Sequence, residues 1–206
     1  MILALESSGA RCSVALWDGT LVAEAARDEA RGHASILPVL VEQVLVEQVM
    51  GQTAVTAVAA GVGPGGFTGL RAGLAVAQGL ALALGVPVLG VTTGEALAAE
   101  ADNPANLPIW AALDNKRGRI FLERPGEPPV AVEEDALPLP AGPVLLVGDA
   151  AERAAAALAA RGAVARAVPP ALAHARGVAR VAAAMLAGQC PRRAAEPLYI
   201  DAPATT

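Results

Sequence analysis

The groups best placed to do chemistry in this chain are backbone amides. Residues 61–73 read Gly-Val-Gly-Pro-Gly-Gly-Phe-Thr-Gly-Leu-Arg-Ala-Gly, with five glycines and a proline in the first nine positions. A helix starting near Phe67 or Thr68 would turn its free N–H groups and positive dipole end back into that loop, which is how a chain cradles an anion. The same glycines would equally make a rigid corner, because a residue without a Cβ lets another backbone approach closely. No Gly-Lys-Ser/Thr follows, so this is not a P-loop, and it is not a GxGxxG turn opening a nucleotide unit. Arg71, one turn into the helix, fits either reading.

The side chains offer less. Glu6, Ser7 and Ser8 end the first apolar run and would contact a phosphate or a metal-bound water, or simply close a hairpin. Asp114 precedes Lys116 and Arg117, a set that makes either an acidic site or a turn ion pair. His33 and His174 are far apart, and neither has a ligand partner at i+3 or i+4, so each reads as a surface or capping residue rather than a zinc ligand. There is no GxSxG, and Cys12 and Cys190 lack metal or redox spacing. These residues contain no self-sufficient catalytic constellation.

The elements that must position these groups follow from periodicity. Residues 2–6, 12–17 and 21–26 read as three strands, the last two joined by the turn Asp18-Gly19. A long helix lies within residues 32–51, with Ser35 as N-cap, Pro38 in its first turn and Gly51 ending it. Projected at 100° per residue, its apolar side chains run nearly all round: Leu37, Leu40, Val41 and Val44 on one side, Val39, Val46, Val49 and Met50 on others. Such a helix is central in a core or shared with a partner, and Glu42, Glu47 and Gln48 are its solvated remnant. A strand at 55–61 leads into the glycine loop and a helix over 68–84, where Leu70, Leu74, Ala77, Leu80, Ala81 and Leu84 form an apolar ladder. A buried strand at 86–91 and a short helix capped by Thr92 or Thr93 complete a first lobe, residues 1–102.

After the turn Asn103-Pro104-Ala105-Asn106 a smaller α/β lobe, residues 103–206, is expected: strands at 107–113, 119–123, 144–147 and 164–168, and a helix over 150–160. A last helix opens at Pro169-Pro170 and ends near Gly188, and residues 125–143 are expected to be irregular surface. The tail from Ala194 is extended, with room to return to the first lobe. The pattern predicts an α/β protein of two lobes with mixed sheets.

Composition narrows the partners. With 54% hydrophobic and 17% charged residues the chain is folded, and with only 2% aromatics its core is aliphatic and alanine-rich. A formal charge of −5 disfavours direct, strong nucleic-acid binding. Residues 72–94 carry no charge and are long enough to span a bilayer, but Gln78, Pro87 and four glycines break the run into a buried helix and strand, so no membrane is expected. An N-terminus without a basic region and the two unpaired cysteines point to a cytoplasmic protein.

Taken together, Ile2–Ser8, Cys12–Trp17, His33–Pro38, the Gly63–Gly73 loop, Gln78-Gly79-Leu80-Ala81 and Gly90-Val91-Thr92-Thr93 resemble the bacterial TsaB (YeaZ) family. Asp114-Asn115-Lys116-Arg117-Gly118-Arg119-Ile120-Phe121 and Glu196-Pro197-Leu198-Tyr199-Ile200 continue the resemblance, which is dense to residue 101 and sparse from 125 to 190. It implies the two-lobed actin-like, sugar-kinase-like (ASKHA) fold. It also implies a role in making threonylcarbamoyladenosine beside the anticodon of tRNA, as non-catalytic partner of the TsaD-type transferase, joined by the TsaE-type ATPase. The paralogue's metal-binding HxxxH falls on Thr93 and Leu97 here, and neither replaces an imidazole. No catalytic, cofactor or metal residue is therefore expected in this chain. ATP and a metal are expected in the partner subunits, and tRNA is reached only through the complex.

The resemblance further implies that the first long helix and the helix after the glycine loop bundle with the paralogue, or form a homodimer in its absence. The expected interface residues are Leu37, Leu40, Val41, Val44, Leu70 and Leu74. The loop residues that mark the family are Gly63, Pro64, Gly65, Thr68, Gly69 and Arg71. Asp201 departs from the family, whose members often carry arginine there. Two alternatives remain: an independent ASKHA-type ATPase or phosphotransferase using residues 6–8 and the glycine loop, and, more weakly, a glycoprotease-like metallopeptidase.

Overall fold

The computed structural model describes residues 1–29, 32–46 and 54–200. The first lobe comprises β1 (Ile2–Glu6), β2 (Arg11–Trp17), β3 (Leu21–Asp28), α1 (His33–Val46), β4 (Ala57–Gly61), α2 (Phe67–Leu84), β5 (Val88–Val91) and α3 (Thr93–Ala98). The second comprises β6 (Ile109–Asp114), β7 (Ile120–Glu123), β8 (Val130–Val132), β9 (Val144–Val147), α4 (Ala151–Ala160) and β10 (Ala165–Ala167); α5 (Ala175–Leu186) follows. The two sheets have the same wiring. In each, the first strand is central, pairs antiparallel with the second and parallel with the fourth, giving the orders β3-β2-β1-β4-β5 and β10-β9-β6-β7-β8.

Alternation along the strands divides the core into layers. Leu3, Leu5, Val14, Leu16 and Val58 face α1 and α2. Ile2, Ala4, Ala15, Ala57 and Ala59 face the opposite way and meet α3, α5 and the inner face of the second sheet. Trp110, Ala112, Ile120, Leu122 and Leu146 pack on α4. The middle layer is built largely from alanine, so α5 lies close against the first sheet, and the scarcity of aromatics is accommodated by near approach of backbones.

Several boundaries differ from expectation. Helix α1 starts at His33, and Ser35 Oγ donates to the Gly32 carbonyl instead of capping. Pro38 therefore lies in the second turn, on the outward face with Ala34, whose carbonyl is left to solvent by the missing proline N–H. The expected helix end at Val49, Met50 and Gly51 lies outside the described residues, as does Asp201. Residues 125–143 are not wholly irregular: β8 adds to β7 as a three-residue edge strand, too short to leave a periodic signal, and a 3-10 turn follows at Glu134–Ala136. The last helix opens at Ala175, beyond the proline pair, where buried Ser13 Oγ of β2 accepts from the Ala175 N–H. This long-range cap ties the C-terminal helix to the first lobe.

Helix α2 is long and apolar enough, by length and composition, to cross a membrane. It packs on β4, β1 and α1 through one face only: Gly69, Leu70, Gly73, Leu74, Ala77 and Ala81. It ends at Gly85, whose φ of 67° is the left-handed cap that glycine adopts without strain.

Candidate functional site: a glycine corner beside the interlobe cleft

The glycine loop is built against the end of β1. A Cβ at Gly65 would overlap the Ser8 carbonyl, one at Gly69 would overlap the Ser7 carbonyl and His33 Nδ1, and one at Gly73 would overlap Ser7 Oγ. Hydrogen bonds close the contact: Ser7 Oγ donates to the Gly69 carbonyl at 2.9 Å and the Gly66 N–H to the Ser8 carbonyl at 2.6 Å. The Gly66 amide, which would head an anion cradle, is thus engaged by protein. From the first residue of α3, Thr93 N–H donates to the Gly63 carbonyl and Thr93 Oγ1 to the Pro64 carbonyl, each at 2.9 Å. Gly63, Pro64 and Gly69 are buried, whereas Thr68 and Arg71 are exposed.

Behind this corner lies Glu6. Its Oε1 accepts from Ser8 N at 2.6 Å and meets Ser8 Oγ at 2.5 Å, while its buried Oε2 has no hydrogen-bond partner among the described residues. Burial raises its carboxyl above 4.5 against the pull of the Ser8 hydrogen bonds. His33 is buried rather than a surface residue, its Nε2 against the Glu29 carbonyl at 2.7 Å. Cys12 is buried too, and desolvation pushes its thiol up to about 12. His174 occupies the N-cap position of α5 beside Glu24, at 3.3 Å, and makes no capping bond.

Between the lobes is a cleft of about 590 Å³. Phe67 and Arg71 line one wall, Asp114 and Lys116 the other, with Tyr199 at its edge. All three Phe and Tyr rings of the chain, Phe67, Phe121 and Tyr199, border it. The Arg71 guanidinium lies 3.6 Å from the Phe67 ring centre and donates to the Tyr199 hydroxyl at 2.8 Å. Two of the cleft's cations are paired: Lys116 sits 3.2 Å from both Asp114 and Asp149, which also line the cleft, and Arg11 grips Asp28 at the end of β3. The Lys116 backbone N–H, opposed by burial and aided by its ammonium, holds Asp114 below the usual carboxylate range. The Asp114 turn is thus an ion pair. The gathering of the three rings had no sequence signal, since positions 67, 121 and 199 are remote.

The six expected interface residues fall elsewhere. Leu37, Leu40, Val41, Val44, Leu70 and Leu74 all lie in the chain's own core between α1, α2 and the first sheet. They are not available to a partner. A helix apolar nearly all round gives no direction to its buried face, and the sheet took the leucine side. The outward residues are Val39 and Val46 on α1 and Leu82 on α2, the last 85% exposed. At the positions of the paralogue's histidines, Thr93 is engaged by the corner and Leu97 is fully buried. Among the described residues no group of three His, Cys, Asp or Glu side chains is placed to hold a metal.

Two duplicated mixed sheets flanked by helices, with a cleft between, define a two-lobed α/β protein of the actin-like class. The family model for TsaD, tRNA N6-adenosine threonylcarbamoyltransferase, matches residues 24–128, half of the chain. The chain belongs to this family, in its TsaB (YeaZ) branch. It is 39% identical over 123 residues to the tRNA threonylcarbamoyladenosine biosynthesis protein TsaB of Escherichia coli K12, covering 58% of this chain and 52% of that one. It is 37% identical over 132 residues to the TsaB of Haemophilus influenzae, covering 60% and 52%. The matched region thus spans about half the length of these curated relatives. A solved structure from Pseudomonas aeruginosa, described as an uncharacterized protein with similarity to peptidase YEAZ, superposes with a TM-score of 0.78 at 28% identity, covering 97% of this chain and 99% of that one.

Proposed function

We propose that this chain acts in the synthesis of threonylcarbamoyladenosine in tRNA as a scaffold that docks and activates a TsaD-type transferase, without transferring the group itself. The observation that carries this reading is that, among the described residues, α1 and α2 each turn apolar side chains outward, with Leu82 85%, Val46 60% and Val39 58% exposed. Apolar side chains on adjacent helices gain by being removed from water, at about 25 cal/mol per Å². The docking face is assigned to these outward residues in place of the six core residues first expected. In this reading the chain homodimerises through the same face when alone, and a TsaE-type ATPase joins the heterodimer. ATP and a metal come with those subunits, tRNA is met only in the complex, and the assembly works in the cytoplasm.

The test is size exclusion of this chain mixed with a TsaD-type protein, followed by a threonylcarbamoyl-transfer assay. Co-elution and a stimulated rate are expected; separate elution without stimulation overturns the proposal. One observation favours a second reading, an ATPase or phosphotransferase: the cleft of about 590 Å³ sets the Arg71 guanidinium among three aromatic rings. Calorimetric titration with magnesium-ATP decides it, and absence of heat removes it.

A further inference from the structure

At the end of β1 four oxygens stand in line from the core to the glycine corner. Glu6 Oε1 lies 2.5 Å from Ser8 Oγ, Ser8 Oγ 2.9 Å from Thr93 Oγ1, and Thr93 Oγ1 2.9 Å from the Pro64 carbonyl. All four residues are buried. Each of these contacts is a hydrogen bond only if a proton lies in it. A carbonyl oxygen cannot donate, and Ser8 and Thr93 bring one hydroxyl proton each, so the two hydroxyls fill two contacts of the three. With Glu6 ionised, Ser8 donates to it, and Thr93 serves either Ser8 or Pro64 but not both. With Glu6 protonated all three contacts are filled, in a single direction: Glu6 to Ser8, Ser8 to Thr93, Thr93 to Pro64.

The other carboxyl oxygen gives the same answer independently. Glu6 Oε2 has no hydrogen-bond partner among the described residues and is pressed onto β4, where a Cβ of Gly61 would lie. A bare oxygen of a neutral acid costs far less in such a place than a share of a carboxylate charge. The titratable groups acting around Glu6 are His33 from α1 and the Cys12 thiol from β2; β4 brings Gly61 and α3 brings Thr93. Burial, the largest influence, keeps Glu6 protonated, whereas the Ser8 and Ser7 hydrogen bonds and, most weakly, His33 favour the charge.

We propose that Glu6 is a neutral carboxylic acid in the folded protein and the proton source of a one-way hydrogen-bond relay, Glu6 to Ser8 to Thr93 to Pro64, that latches the glycine loop to β1 and α3. In this state Glu6 has no charge to offer a cation, and its proton is directed at Ser8. The relay also holds Ser8 in place, and the Ser8 carbonyl accepts from the Gly66 N–H at the start of α2, so the acid bears on how that helix is aimed. The latch belongs to the isolated chain and stands or falls apart from either function proposed above.

The carboxyl carbon NMR signal of Glu6 tests it on the full chain, assigned through its own side-chain protons and followed from about pH 5 to about pH 9. The neutral-acid signal is expected at about pH 7, where an ordinary carboxyl is ionised. Thr93→Val removes the hydroxyl to which Ser8 donates. Ser8 then turns its proton back to Glu6 and favours the carboxylate, so the midpoint should fall by about one pH unit, the order of one buried hydrogen bond. Thr93→Ser keeps the hydroxyl and should keep the wild-type midpoint. An ionised signal in the wild type at about pH 7 overturns the proposal without any substitution. An unshifted midpoint in Thr93→Val, as for an acid that is merely buried, or an equal fall in Thr93→Ser overturns the relay.

Discussion

Leu40 decides whether α1 gives its leucine side to its own sheet or to a partner. The side chain is 1% exposed among Leu37, Val44 and the strands of the first sheet. Leu40→Ala removes buried methyl groups and leaves a void, which costs about 2–5 kcal/mol because the surroundings collapse only in part. For a chain of this size each kcal/mol shifts the melting temperature by roughly 2–4 °C, so a loss of about 3 kcal/mol lowers it by roughly 6–12 °C. The control is Leu82→Glu on the outward face of α2, where a surface substitution changes stability by about 0.5 kcal/mol or less. Differential scanning calorimetry and size exclusion, alone and with a TsaD-type partner, measure both. The expected pattern is a crossed one: Leu40→Ala melts early yet still associates below its melting point, while Leu82→Glu melts normally and fails to associate. An unchanged melting temperature for Leu40→Ala together with lost association would refute the placement of that side chain in the core.

Gly69→Ala drives a methyl into the Ser7 carbonyl and His33, and overpacking of this kind costs about 1–3 kcal/mol, read as a lower urea midpoint than wild type. Cys12 should resist alkylation at mildly alkaline pH and become reactive only on unfolding, since its thiol is buried and titrates at about 12; mass spectrometry of labelled native and denatured protein checks this. Glu24 is pushed up by burial but held below 4.5 overall by His174 and Arg176. A depressed carboxyl contributes stability above 4.5 that is lost as pH falls through its folded value, so Arg176→Met should be less stable than wild type near neutrality, with the gap closing well below 4.5.

The order of the elements was legible because it is written in local periodicity. The three opening strands, the Asp18-Gly19 turn, α2 and the strand ends at Glu6 and Asp114 all declare themselves within windows of a few residues. The corner role of the glycine loop was one of two readings in the sequence. Only Ser7, Ser8 and His33, arriving from elsewhere in the fold, explain why three of its positions lack a Cβ. Three features were decided by tertiary structure alone. The first is the buried face of α1: its apolar residues run nearly all round, so no moment selects a side, and contact with the sheet has to choose. The second is the capping of α5 by Ser13, a bond across 162 positions. The third is the ion pair of Glu95 with Arg193, which no spacing foretells. Local sequence fixes what each segment becomes, because helix and strand periods are properties of a few consecutive residues. Which side chains share a charge or a cavity depends on how finished elements pack, and packing joins positions that the chain itself keeps far apart.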